Sequence, residues 1–127
     1  MNILTGVFAR ILFTIPFLGF GARHLMHAKD MASMVPIPGG IIWIYVTGIA
    51  MILASIAAIT KIQGKIAMLL LALMLIIFVI VIHYPAMISA DASLKMMGTI
   101  SLYKDIGLAG GALILAGLFG SEKKAAA

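Results

Sequence analysis

The chain has no cysteine and little charge: 10% of its 127 residues are charged and only four are acidic. Without cysteine there is no dithiol relay, structural disulfide, thiolate metal site or cysteine nucleophile, and the redox state of the compartment leaves no mark on the sequence. Catalytic signatures are missing as well. There is no nucleophile elbow, no phosphate-cradling glycine loop and no pair of carboxylates within one motif, so an enzyme acting alone is not indicated. The shortage of charge has the larger consequence, because soluble domains carry about 25% charged residues.

Apolar side chains fill the space instead, at 64% of residues, with a mean hydropathy of +1.22. A soluble chain of this length would still expose roughly a third of its unfolded surface, and too few polar side chains are present to cover it. Lipid is therefore the expected solvent. The formal charge of +5 does not point to nucleic acid, because the nine Lys and Arg are scattered rather than striped along one face. They read as loop and interface charges of a membrane protein.

A membrane span needs about 20 mainly apolar residues, and four segments qualify: Leu4–Leu25, Gly40–Thr60, Ile66–His83 and Thr99–Phe119. The expected fold is all-α, an integral membrane four-helix bundle forming one domain over residues 1–124. The first segment carries Arg10 and Pro16 and lacks a small-x-small site before Arg23-His24, so it reads as a retained span rather than a signal peptide. Ala125–Ala127, after Lys123-Lys124, read as a cloning remnant. Lys61 and Lys65 flank a turn too tight for anything but an antiparallel hairpin, and the third span is expected to stop at Tyr84-Pro85, where the residue before proline is pushed from helical geometry. An even count puts both termini on one side. The Lys and Arg in the loops balance, and Arg10 tips the expectation to cytoplasmic termini. The opposite side, here called outer, bears the two longer loops.

Small residues recur where helices are expected to touch. Gly107 and Gly111 form a GxxxG, with Gly110 and Gly117 beside it, and Gly48, Ser55 and Ala58 stripe the second span. Arg10 is the costliest residue, at about 2.5–3.5 kcal/mol or more within a span unless paired or snorkelling. Steps of four and three join Arg10, Thr14, Phe17, Gly21 and His24 along one helix face, leading from the arginine to the outer mouth. Threading brings His24 and His27, Trp43 and Tyr45, His83, and Lys104 with Asp105 to that same end. Candidate ligand-binding residues are Arg10, Thr14, His24, Trp43, Tyr45, His83 and Asp105, although Trp43 and Tyr45 also fit an ordinary interfacial belt and Lys104 a snorkelling cation.

His24, His27 and Asp30 have a spacing that can present metal ligands from one side of a helix. Structural hydrogen bonding is the preferred reading for the histidines. Met26, Met31, Met34, Met87, Met96 and Met97 fall in or beside the outer loops, where thioethers can cover an apolar ligand, bind Cu(I) or dip into lipid from a short interfacial helix. The last is preferred.

In its pattern the chain resembles the DoxX-like family of small four-helix membrane proteins. The resemblance rests on Arg10, Gly21-Ala-Arg-His24, Met34-Val-Pro36 with Pro38, Trp43-Ile-Tyr45-Val-Thr47-Gly48 and His83-Tyr-Pro85, and covers about residues 7–115. Many relatives carry an acidic residue shortly after the glycine matched by Gly48. Met51 stands there in this chain, and Asp105 is the candidate to compensate. The resemblance implies membrane redox work, since name-giving members resemble a subunit of a thiosulfate:quinone oxidoreductase and others are linked to oxidative-stress complexes. The leading expectation is an accessory subunit in the inner membrane of a bacterium or archaeon, binding a quinone or similar amphipathic ligand at the outer mouth and working as a homo-oligomer or with a redox protein. A scaffold docking its partner through the glycine-rich fourth helix, or a small transporter, are the alternatives.

Overall fold

The computed structural model describes residues 2–33, 35 and 37–126, with side chains up to Glu122. Met34 and Pro36, two of the residues on which the resemblance rests, and Ala127 fall outside the described residues. Asn2 starts the first span, its Oδ1 accepting the Leu4 and Thr5 amides at 2.9 and 3.1 Å. A wide turn with i→i+5 hydrogen bonds, Leu4–Phe8, runs into α1 (Ala9–Met26), followed by α2 (Ala28–Ala32), α3 (Gly40–Thr60) and α4 (Gly64–Phe78). A second wide turn, Val79–His83, leads into α5 (Tyr84–Met87) and then α6 (Ala92–Ala126). No strand occurs among the described residues. Four helices are long and apolar enough to cross a membrane: Leu4–Met26, Gly40–Thr60, Gly64–Met87 and Ala92–Glu122.

Two span boundaries depart from expectation. The third helix does not stop at Tyr84-Pro85, because Tyr84 keeps helical angles, φ −65° and ψ −47°. The wide turn just before it absorbs the conflict: Tyr84 donates its amide five residues back, to Val79, so the register has already changed when proline withholds its own donor. The fourth helix begins at Ala92, not Thr99, because Asp91 caps it. Its Oδ1 accepts the Leu94 amide at 3.0 Å, which compensates one of the helix's unpaired donors.

Each long helix packs through a seam with steps of four and three. On α6 the buried residues are Gly98, Leu102, Asp105, Ala109, Ala112, Ala116 and Phe119, and on α3 Ile44, Gly48, Met51, Ser55 and Ala58, with Ala54 beside them. Gly64, Met68, Leu71 and Leu75 continue the pattern on α4, and Thr14, Phe17 and Gly21 on α1. This 3.5-residue period is the geometry of close helix pairs. Because lipid is as apolar as leucine, the pairs are held by packing, and small side chains permit the closest approach.

Glycines serve that approach selectively. A Cβ on Gly21 would sit 2.9 Å from the Gly48 carbonyl oxygen, and one on Gly98 2.5 Å from the Met87 nitrogen. Gly111 meets the Phe13 ring, but Gly107, Gly110 and Gly117 have nothing within 4 Å. Towards its C-terminal half the α6 seam thus packs through Ala109, Ala112 and Ala116, and most of the helix's glycines lie off it.

The short link Lys61–Gln63, with Lys61 and Gln63 in left-handed backbone at φ 65° and 52°, joins α3 to α4 at what we call the link end. There Gly64 lies against the Phe119 ring and Lys61 Nζ stands 3.2 Å from Glu122 Oε2. The shared core, including Phe17, Met51, Ala58, Met68, Leu75, Ala112 and Phe119, reaches from this end up to Met51 and Leu75. The loop end, which carries α2 and α5, is packed differently.

Candidate functional site

Above Met51 and Leu75 the helices enclose a cavity of about 570 Å³. Phe17, Phe20 and His24 of α1, Trp43 and Thr47 of α3, Phe78 and His83 near the end of the third span, and Lys104 and Asp105 of α6 line it. Met31, Val35 and Ile37 add to the lining from the loop end.

Asp105 is the one charged residue in the α6 seam and is only 4% exposed. A carboxylate at this depth needs partners, and two are present. His83 Nε2 lies 2.8 Å from Asp105 Oδ2, and Lys104 Nζ lies 3.5 Å from Oδ1. The first distance selects an imidazole that donates Nε2–H to the carboxylate. Lys104 does not simply run out to the interface, since its ammonium also sits 4.3 Å from the centre of the Phe20 ring, within cation–π range.

The wide turn aims His83. Five residues of an α-helix advance about 500°, leaving Phe78 and His83 on different faces, about 140° apart. The i→i+5 ring brings them onto one side, where the two rings meet edge to face with centroids 6.5 Å apart. On the opposite wall, His24 donates Nδ1–H to the Phe20 carbonyl at 2.6 Å, which leaves Nε2 as an acceptor, and its Cβ packs over Gly48. Trp43 donates Nε1–H to the Pro38 carbonyl at 3.0 Å, pinning the loop to α3. Thr47 spends its hydroxyl hydrogen on the backbone one turn earlier, at 2.8 Å to Trp43 oxygen, and still offers lone pairs.

Of the residues expected at the site, His24, Trp43, His83 and Asp105 line the cavity, and Arg10, Thr14 and Tyr45 do not. Thr14 is buried and donates to the Ile11 carbonyl of its own helix at 2.9 Å. Tyr45 is exposed on the outside of α3. Arg10 is half-buried 14 residues before His24, about 21 Å down the helix. Its Nε is buried without a hydrogen-bond partner among the described residues. The face from Arg10 to His24 is thus a packing seam through Thr14, Phe17 and Gly21, and no ion pair joins Arg10 to Asp105.

The histidines near α2 also separate: His27 turns to Asp30 at 3.8 Å on the surface, while His24 faces the cavity. Among the described residues no three His, Asp or Glu side chains gather as a metal site. Of the described loop methionines only Met31 reaches the cavity, while Met26, Met96 and Met97 are exposed. Met51, a buried member of the core, forms the cavity floor. Sequence reading missed Thr47, Phe20 and Phe78. Phe20 is one turn before His24 and was within reach of helical spacing, but Phe78 joins only through the wide turn.

No family model matches the chain, and no curated protein or solved structure matches it.

Proposed function

We propose that this chain is an accessory subunit of quinone-linked redox metabolism in the inner (plasma) membrane of a bacterium or archaeon, and that its cavity holds the headgroup of a quinone-like ligand. One observation carries the proposal: an apolar cavity of about 570 Å³ has a buried His83–Asp105 pair on its wall. Small-molecule sites are typically about 300–1,000 Å³, apolar, with a few convergent polar groups. A quinone in its reduced, hydroquinone form asks for flat apolar walls, which Phe17, Phe20 and Phe78 supply, and for hydrogen-bond acceptors at its hydroxyls.

His83 meets that second need. With Nε2–H committed to Asp105, its Nδ1 is an acceptor for a hydroxyl headgroup, and Asp105 steadies the imidazole if it takes up that proton. His24 Nε2 and Thr47 Oγ1 offer further acceptors across the cavity. The redox context comes from the resemblance to the DoxX-like family, in which the partner is a redox protein or a further copy of the chain. In an antiparallel threading, supported by Gly64 against Phe119 at one end and Ala86 against Gly98 at the other, the cavity lies in the outer half and both termini are cytoplasmic.

The test is direct, because Trp43 is the sole tryptophan and lines the cavity. A fully substituted benzoquinone bearing a decyl chain, added as its hydroquinone so that its hydroxyls can donate to His83 Nδ1, should quench it saturably in nanodiscs, and His83→Ala should weaken binding about tenfold, the loss of one hydrogen bond of about 1.4 kcal/mol. Arg10→Ala should leave affinity unchanged. Unsaturable quenching, equal in wild type and His83→Ala, would refute ligand binding.

One observation favours a scaffold as a second reading. Gly107, Gly110 and Gly117 face open space beside exposed Ile106, Leu113 and Ile114, a surface on which a partner helix can lie closely. A stoichiometric partner lost on Gly107→Leu and kept on His83→Ala would support it.

A further inference from the structure

We infer that ligands reach the cavity sideways from the hydrocarbon, through a window between α3 and α4. The site then takes uncharged ring headgroups with a single aliphatic tail, and the tail remains in the window. This rests on the ligand-binding function proposed above and adds the route and the chemical class.

The window is visible as residues that belong to two surfaces at once. Leu70, Leu73 and Ile77 of α4 and Val46 of α3 line the cavity, yet they are 60%, 54%, 47% and 49% exposed. On this side the cavity wall is therefore also the outside of the protein. α1 packs along α3 and α4 along α6, whereas α3 and α4 meet less extensively and are tied by the link at one end only. The α1 and α6 backbones come less close still, but side chains fill the space between them: Phe13 lies against Gly111, Lys104 over the Phe20 ring, and the cavity-lining Phe17, Phe20, Asp105 and Leu108 are buried or half-buried. The common core of α3 and α4 stops at Met51 and Leu75, the cavity floor, and between Val79 and His83 no residue is fully buried.

At the loop end Met31, Val35 and Ile37 add apolar lining, and Trp43 is tied to the Pro38 carbonyl. A molecule coming from water meets no charged or hydrogen-bonding side chain among these three, while one dissolved in lipid meets an open aliphatic slot. Val46, Ala50, Leu70, Leu73 and Ile77 offer the slot no hydrogen-bonding side chain, so a tail fits there and a polar chain does not. At the far end Lys104 and Asp105 offset each other, leaving no surplus charge to attract an ionic headgroup.

The absence of cysteine makes the test clean. Ala50→Cys/Ile77→Cys is placed in lipid vesicles and its two thiols are bridged by a flexible bifunctional thiosulfonate. Trp43 quenching is then followed in time after adding the fully substituted decyl hydroquinone or its tail-less counterpart. Bridging should slow loading of the decyl compound at least about tenfold, equivalent to about 1.4 kcal/mol on the barrier. Cleaving the bridge and removing the reductant should restore the rate. The tail-less compound should bind more weakly and show a smaller effect of the bridge. Leu73→Cys bearing a bulky maleimide obstructs the same slot without a bridge and should also slow loading.

If the decyl compound loads equally fast in the open, bridged and maleimide-blocked proteins, the window is refuted while ligand binding stands. Absence of saturable quenching in the open protein removes both.

Discussion

A carboxylate among glycine, leucine and alanine is the least expected residue of the α6 seam, and its neighbours explain how Asp105 persists there. Removing one partner of a buried pair strands the other, at about 3–5 kcal/mol in a closed interior. Lys104 stays 3.5 Å from Asp105 when His83 is lost, and is itself partly exposed, so the loss here should be smaller. His83→Leu should destabilise by about 1–3 kcal/mol, the cost of an unsatisfied buried polar group. The double variant His83→Leu/Asp105→Leu should recover part of that loss, as read from denaturation midpoints in detergent micelles. A double variant no more stable than His83→Leu would mean that the carboxylate is satisfied elsewhere.

Among elements, the contrast lies between glycines that let helices touch and glycines that face outward. Gly48→Ala drives a Cβ to 2.7 Å from the His24 Cβ and should cost about 1–3 kcal/mol through overpacking. Gly110→Ala meets nothing and should gain up to about 1 kcal/mol of helix propensity. Equal effects in a chemical-denaturation series would contradict the assigned faces. The four spans were legible because twenty-residue apolar runs with few charges have no other stable solution, and four of the site residues because threading four helices leaves them at one end. The longer α6 hid behind the polar run of Asp91 to Thr99, although Asp91 is an ordinary cap. The wide turn before Pro85 had no periodic mark, and with it went the place of Phe78 and the helical state of Tyr84. GxxxG misled for a physical reason: small residues allow close contact but do not require it, and the contacts fell to Ala109, Ala112 and Ala116 one step round the helix.

As a whole the molecule is close-packed at the link end and hollow at the loop end. Empty volume forfeits dispersion contacts, and filling it should trade function for stability. Ala50→Phe should gain about 0.5–2 kcal/mol, in the range of cavity-filling substitutions, while abolishing saturable Trp43 quenching by the decyl hydroquinone. Loss of both stability and binding would mean that the space is already occupied in the native membrane. Asp105 also matters beyond its site. A slide of α6 by one heptad in either direction would bring Asp105 or Asp91 to the level of Gly98, where a Cβ has no room beside Met87, and would carry Asp105 away from His83. Gly98 is thus the stop, and the Asp105–His83 pair the detent, that hold α6 in one register against the third span.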